Sequence, residues 1–310
     1  MKTPGGVSLA TLFFNRTFAP AKHSKYRKSM RLIKMTGGLG NQMFIYAFFL
    51  QMKKRYPNVK IDLSDMVHYK VHHGYEMNRV FRLPHTEFCI NQTLKKVVEF
   101  VFFKTILERK QNLETLEAFR KKYNWPFIYF KGFYQSERFF AEVKEEVRRA
   151  FTFDLEKAGA ESLALMKRMD ADEHAVSLHI RRGDYLQPKH WATTGSVCQL
   201  PYYRNAIARL KELVPHPSFY VFSDDMDWVR EHLPLENATY IDWNKGEDSW
   251  QDMMLMSHCR HHIICNSTFS WWGAWLNARA DKVVIVPERW FQHCDTPYIY
   301  PDGWVKVPVE

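Results

Sequence analysis

The chain lacks most of the features that would place it outside the ordinary globular class. Its five cysteines, Cys89, Cys198, Cys259, Cys265 and Cys294, are odd in number and scattered. They make no disulfide framework and read as reduced thiols of a cytosolic protein. No stretch approaches the ~20 apolar residues needed to span a bilayer; the richest, residues 97–107, contains Glu99 and Lys104. No secretory signal is legible, because the positive charge lies mostly behind the short apolar run "VSLATLFF", at Lys22, Lys25, Arg27 and Lys28. Internal repeats and low-complexity tracts are also missing, which leaves no sign of a solenoid or a biased tail.

What is present suits a folded domain or two. The 310 residues are 46% hydrophobic and 25% charged, enough to bury a core without covalent staples. Lys plus Arg number 44 against 34 Asp plus Glu, a formal charge of +10. That balance favours an anionic partner: nucleic acid, an acidic membrane surface or a phosphorylated small molecule. The basic residues are dispersed and form no RNA-binding signature. Residues 1–29 read as an extension, with Met30 as an alternative start of the core unit. The segment "HCRHHIIC", residues 258–265, matches no closed zinc-site spacing and is followed by no second Cys/His pair, so no metal is assigned to it. The sequon at Asn266-Ser267-Thr268 is incidental in a cytosolic chain.

The first half begins with an alternating strand over 31–35 and the turn "TGGLGNQMF", where paired glycines permit close backbone approach. The pattern then predicts a helix over 41–56, a strand over 59–63, a helix over 93–123, a strand in "FIYFKGFYQS" and a helix over 137–151. The second half alternates more cleanly. Helices are expected at 161–169, 202–213, 226–233, 249–259 and 269–278, and strands at 175–180, 218–222, 239–241, 262–265 and 282–286. Strands separated by helices imply right-handed crossovers and a parallel sheet. Such sheets bind ligands outside the carboxyl ends of their strands.

Three of those ends carry polar clusters. They are Arg181-Arg182-Gly183-Asp184-Tyr185, Ser223-Asp224-Asp225, and Asn266-Ser267-Thr268 with Ser270 just inside the next helix. Taken singly, each has an ordinary reading as an ion pair, a turn or a helix cap, and "WWGAW" reads as helix packing. Converging on one cleft, they suit a nucleoside diphosphate. An arginine fork holds phosphate oxygens, a helix start receives an anion, and carboxylates accept from ribose hydroxyls or guanine N–H groups.

Four stretches, "GGLGNQMFIYAF" (37–48), "HIRRGDY" (179–185), "FSDD" (222–225) and "NSTFSWWGAWLN" (266–277), resemble the motifs of the family 11 glycosyltransferases, GDP-fucose-dependent α-1,2-fucosyltransferases of bacteria and animals. The resemblance runs in order from about Arg31 to the C-terminus and implies an α/β fold of GT-B type, two Rossmann-like domains facing across a cleft. Residues 30–160 would form the acceptor-side domain and 161–310 the GDP-sugar domain. The implied reaction is an inverting transfer of L-fucose from GDP-fucose to the 2-hydroxyl of a terminal galactose, with no metal and no further cofactor. Carried over, Arg181 is the β-phosphate clamp, with His179 and Asn41 beside it. Asp224, Asp225, Ser267, Thr268 and Ser270 complete the donor site, and by a looser resemblance to related fucosyltransferases Asp252, on the preceding helix, reads guanine. Asp184 is a candidate base from its position alone; His190, Asp65 and Glu76 are others, and the base stays unassigned. A transferase for another nucleotide sugar, or a non-catalytic glycan- or nucleic-acid-binding protein, stays open beside this reading, as does peripheral contact with an anionic membrane.

Overall fold

The computed structural model describes residues 30–66, 73–83, 87–88, 104–107 and 127–310. Two all-parallel sheets organise them. The first has the order β3-β2-β1-β5-β4, built from β1 (Met30–Lys34), β2 (Val59–Asp62), β3 (Glu87–Phe88), β4 (Lys104–Leu107) and β5 (Phe127–Lys131). The second has the order β11-β10-β9-β6-β7-β8, from β6 (Ala175–Ile180), β7 (Ser218–Ser223), β8 (Ala238–Ile241), β9 (His261–Ile263), β10 (Val284–Pro287) and β11 (Val305–Val307). The central strands β6, β7 and β10 are mostly apolar and buried, as expected of parallel strands covered on both faces. Every residue of β6 is buried.

The main helices are α1 (Leu39–Arg55), α2 (Met77–Val80), α3 (Lys144–Ala150), α4 (Ala160–Ala171), α5 (Leu200–Leu213), α6 (Met226–His232), α7 (Trp250–His258) and α8 (Thr268–Leu276). Helix α1 is buried almost all round up to Met52, the signature of a helix enclosed by protein. It packs on the first sheet and on α8 of the second half. Phe44 lies 4.5 Å from Trp271 and 4.8 Å from Trp272, ring centre to ring centre, and Phe140 stacks on Trp272. The indole Nε1 of Trp272 donates to the Gly40 carbonyl at 2.9 Å. The "WWGAW" run is therefore packing between the two halves, and one apolar core continues from the first sheet into the second.

Two expectations need correction. Residues 104–107, placed in a helix by the sequence pattern, form β4 and pair with β5; pairing along a sheet overrides a local helical period. The rest of 93–123, like 1–29, lies outside the described residues. The helix over 137–151 is broken in two, a 3-10 segment Glu137–Val143 with non-helical dihedrals at Phe140, then α3. Among the described residues no helix is long and apolar enough to cross a membrane.

Candidate active site

A cavity of about 830 Å³ lies at the carboxyl ends of the strands of both sheets, where open parallel sheets place their ligands. From the first half come Gly38–Asn41 at the start of α1, together with Glu76, Phe133 and Gln135. The second half brings His179, Arg181, Asp184, Asp224, Asp225, Asp252, Ser267 and Thr268. Asn41 and all but one of the predicted donor-site residues of the second half thus meet in one place. Ser270 is the exception: it is 1% exposed, and its hydroxyl donates to the Ser267 carbonyl at 3.3 Å beneath the cavity wall.

The two adjacent arginines divide. Arg181 stays at the cavity, where Nε and Nη2 bond Asp184 Oδ1 at 2.9 and 2.8 Å and Nη1 lies 3.1 Å from Asp224 Oδ2. A guanidinium has five N–H donors in a fixed fork, so this clamp leaves two for a ligand. Burial opposes its charge, but Asp224 and Asp184 outweigh that and hold the group above its ordinary pKa. Arg182 turns away: its Nε bonds Asp225 at 2.9 Å and its guanidinium sits 3.7 Å over the Trp228 ring.

The acidic residues are engaged as well. Asp224 also accepts the Arg182 backbone N–H at 2.8 Å, and Asp225 caps α6 by accepting from the Trp228 N–H at 3.4 Å. Asp184 serves as the Arg181 counter-ion. Asp184 and Asp224 thus frame and aim Arg181, while Asp225 holds Arg182 away from the cavity.

Next to Arg181, burial and the arginine's charge lower the His179 pKa to about 3, so the imidazole is neutral. Its Nδ1 lies 3.3 Å from the Cys265 sulfur. Burial pushes that thiol up to about 12, so a protonated thiol and a neutral imidazole share this contact. Opposite, α8 begins at Ser267, whose hydroxyl accepts from the Phe269 N–H at 3.3 Å. No acidic residue stands in its first turn, which leaves the positive end of the helix for an anion.

At the far end Asp252 is enclosed on α7, with the Asn244 amide donating to it at 2.8 Å. Burial pushes its carboxyl up to about 7. On the first-half wall, the Glu76 carboxyl accepts from Arg79 at 2.7 Å, and burial pushes it too up to about 7, against Arg79 and the Leu39 backbone, which both lower it. Gln42 supports that wall, with Nε2 donating to the Gly37 and Gly74 carbonyls at 2.8 and 2.7 Å and Oε1 accepting the Glu76 N–H at 2.9 Å. Sequence reasoning had no sign of Gln42; only the fold brings it to Glu76. Asp65 pairs with Lys34 and is not in the cavity wall, whereas His190 is.

The 258–265 segment scatters its side chains. His258 meets Asp170, His261 accepts from the Val283 N–H, His262 bonds Ser177 and Asn277, and Cys265 faces His179. Asn266 is 1% exposed, its amide donating to the Thr194 and Trp290 carbonyls, so its sequon is inaccessible in the fold.

Comparison with known proteins gives a consistent neighbourhood. A family model, glycosyl transferase family 11, matches residues 5–307. An alpha-1,2-colitosyltransferase of Escherichia coli is 32% identical over 294 residues, covering 90% of this chain and 99% of its own. The human galactoside alpha-(1,2)-fucosyltransferase 1 is 33% identical over 169 residues, 52% of this chain and 46% of its own. Among solved structures, the fucosyltransferase NodZ from Bradyrhizobium aligns with a TM-score of 0.47 at 15% identity, over 79% of this chain and 92% of that one.

Proposed function

The chain belongs to glycosyltransferase family 11, and on that premise we propose that it transfers L-fucose from GDP-fucose to the 2-hydroxyl of a terminal galactose, with inversion and without a metal. The observation that carries the reading is Arg181, held from behind by two carboxylates with two N–H donors left over. As the bond to fucose breaks, negative charge collects on the β-phosphate. A pre-aimed guanidinium and the start of α8 meet that charge without reorganising, with the neutral His179 ring beside them. Arg181 stands at the phosphates in place of a cation.

Asp252 suits the base. A buried carboxyl near 7 gains from ligand N–H donors, and guanine offers its ring N–H and amino group on one edge. Because those contacts need the carboxylate, GDP affinity is expected to fall as the pH drops below about 7, read by calorimetry across pH 6–8. Asp252→Asn is expected to weaken GDP on the order of 10²-fold, the loss of a charge-assisted pair. An unchanged dissociation constant would remove Asp252 from the guanine site.

One observation favours a second donor. The 32% identical relative is named a colitosyltransferase, and colitose is fucose without its 3-hydroxyl. The deciding experiment incubates the protein, with EDTA present, with GDP-fucose or GDP-colitose and a panel of β-galactosides, following GDP release and product linkage by NMR. An α-1,2-linked fucosyl galactoside is the expected product. Turnover with GDP-colitose alone would transfer the reading to that sugar. Loss of turnover in EDTA, restored by a divalent cation, would overturn its metal independence.

A further inference from the structure

We propose that Glu76 is the general base of the transfer, taking the proton from the acceptor hydroxyl as its oxygen attacks the donor sugar. The inference rests on the glycosyl-transfer reading above and adds the group that the sequence leaves unassigned.

Three features of the structure place it there. Glu76 lines the same cavity as Arg181 but belongs to the opposite half, and inverting displacement requires the acceptor on the face away from the departing diphosphate. The Leu39 backbone N–H favours the Glu76 carboxylate. The next residue, Gly40, presses against Thr268 at the start of α8, the helix end assigned to the phosphates. The base is therefore one residue from the seam where the donor and acceptor sides touch.

Its geometry is also fixed. The side chain is 5% exposed, Gln42 holds its backbone N–H at 2.9 Å, and the loop before it turns through left-handed dihedrals at His73 and Gly74 (φ 61° and 73°). A left-handed histidine is a costly conformation and His73 itself lines the cavity.

The charged groups acting on Glu76 are Arg79 on its own helix and Glu247 from the loop before α7, and the titratable His73 of the preceding loop lines the same cavity. Burial prevails over Arg79 and the Leu39 N–H to bring the carboxyl to about 7, where a base can both hold and release a proton at neutral pH. Both carboxylates pair with an arginine, but the partner of Glu76 is Arg79, outside the phosphate clamp, whereas Asp184 holds the clamp residue Arg181 itself.

In the step, the acceptor O–H proton passes to Glu76 and the oxygen bonds the anomeric carbon. The carbon–oxygen bond to the β-phosphate breaks, and its electron pair leaves with the diphosphate. Glu76 then returns the proton to solvent.

The test is Glu76→Gln, which keeps the shape and the acceptor for the Leu39 N–H. Its kcat with the productive donor is expected to fall ~10²–10³-fold, the range for a lost general base, while GDP binds within threefold of the wild-type constant by calorimetry. Wild-type kcat should rise through about pH 7 to a plateau, and this acid limb should vanish in Glu76→Gln. Glu76→Asp should keep the limb at reduced kcat. Turnover of Glu76→Gln within threefold of wild type, survival of its acid limb, or loss of GDP binding would each overturn the assignment. A wild-type protein that binds no GDP and releases none from either donor would sink the transferase reading itself, and this assignment with it. A turning-over wild type with an unaffected Glu76→Gln sinks the base alone.

Discussion

Arg181→Ala is expected to lower kcat ~10²–10³-fold, about 3–4 kcal/mol of transition-state stabilisation by analogy with removed oxyanion donors. It should weaken GDP as well, because it leaves Asp184 and Asp224 facing the diphosphate without the cation they now flank. Arg181→Lys separates charge from geometry. A lysine keeps the charge but has three donors on a single nitrogen, and cannot hold Asp184 along one edge, Asp224 along another and still present a fork to phosphate. Its rate should fall at least tenfold while GDP affinity recovers part of the loss. Single-turnover kinetics and calorimetry on both variants decide it. Near wild-type turnover from a folded Arg181→Ala protein would mean that the leaving group is stabilised elsewhere. Arg182→Ala is the internal control: with its guanidinium on Asp225 and Trp228, its loss should act on stability more than on the chemical step.

The second sheet was legible because its strands and helices alternate with textures that differ. Residues 175–180, for instance, are a buried apolar run between two polar breaks, and the strand appears with those bounds. The last strand, Val305–Val307, is too short to show a period of its own; it exists because β10 offers it an edge. In the first half β1, α1, β2 and β5 stand close to where the pattern put them, whereas β4 is fixed by its pairing with β5.

At the site, residue type at a strand end was informative: Arg181, Asp224 and Ser267 all stand in the cavity wall. What sequence could not show is the allocation of partners. That Asp224 and Asp225 frame arginines, and that Glu76 is gripped by Gln42 and Leu39, follows from contacts between residues far apart in the chain. A carboxylate reads the same in a sequence whether it awaits a ligand or already holds a guanidinium.

The meeting of α1 and α8 makes the strongest stability prediction. A Cβ on Gly40 would lie 2.6 Å from Thr268 Oγ1 and 2.7 and 2.8 Å from the Thr268 backbone carbon and oxygen. Backbone cannot rotate aside, so Gly40→Ala must push the two helix starts apart, straining the Trp272–Gly40 hydrogen bond and the packing of Phe44 on both indoles. Overpacking of this kind costs about 3 kcal/mol, or a Tm lower by roughly 5 °C for a chain of this size. Adding Thr268→Ala removes the hydroxyl but not the carbonyl clash, so the double variant should recover only part of that loss. Gly159→Ala, whose Cβ would meet only Gln251 Oε1 at 3.5 Å, should stay within 2 °C of wild type in the same thermal scans. The chemistry should suffer with the fold, because the displaced residues are those that seat the diphosphate on one side and Glu76 on the other. GDP should therefore raise the Tm of Gly40→Ala by less than it raises the wild-type Tm. A Gly40→Ala protein that melts within 2 °C of wild type would show that the two halves meet less tightly than this contact requires.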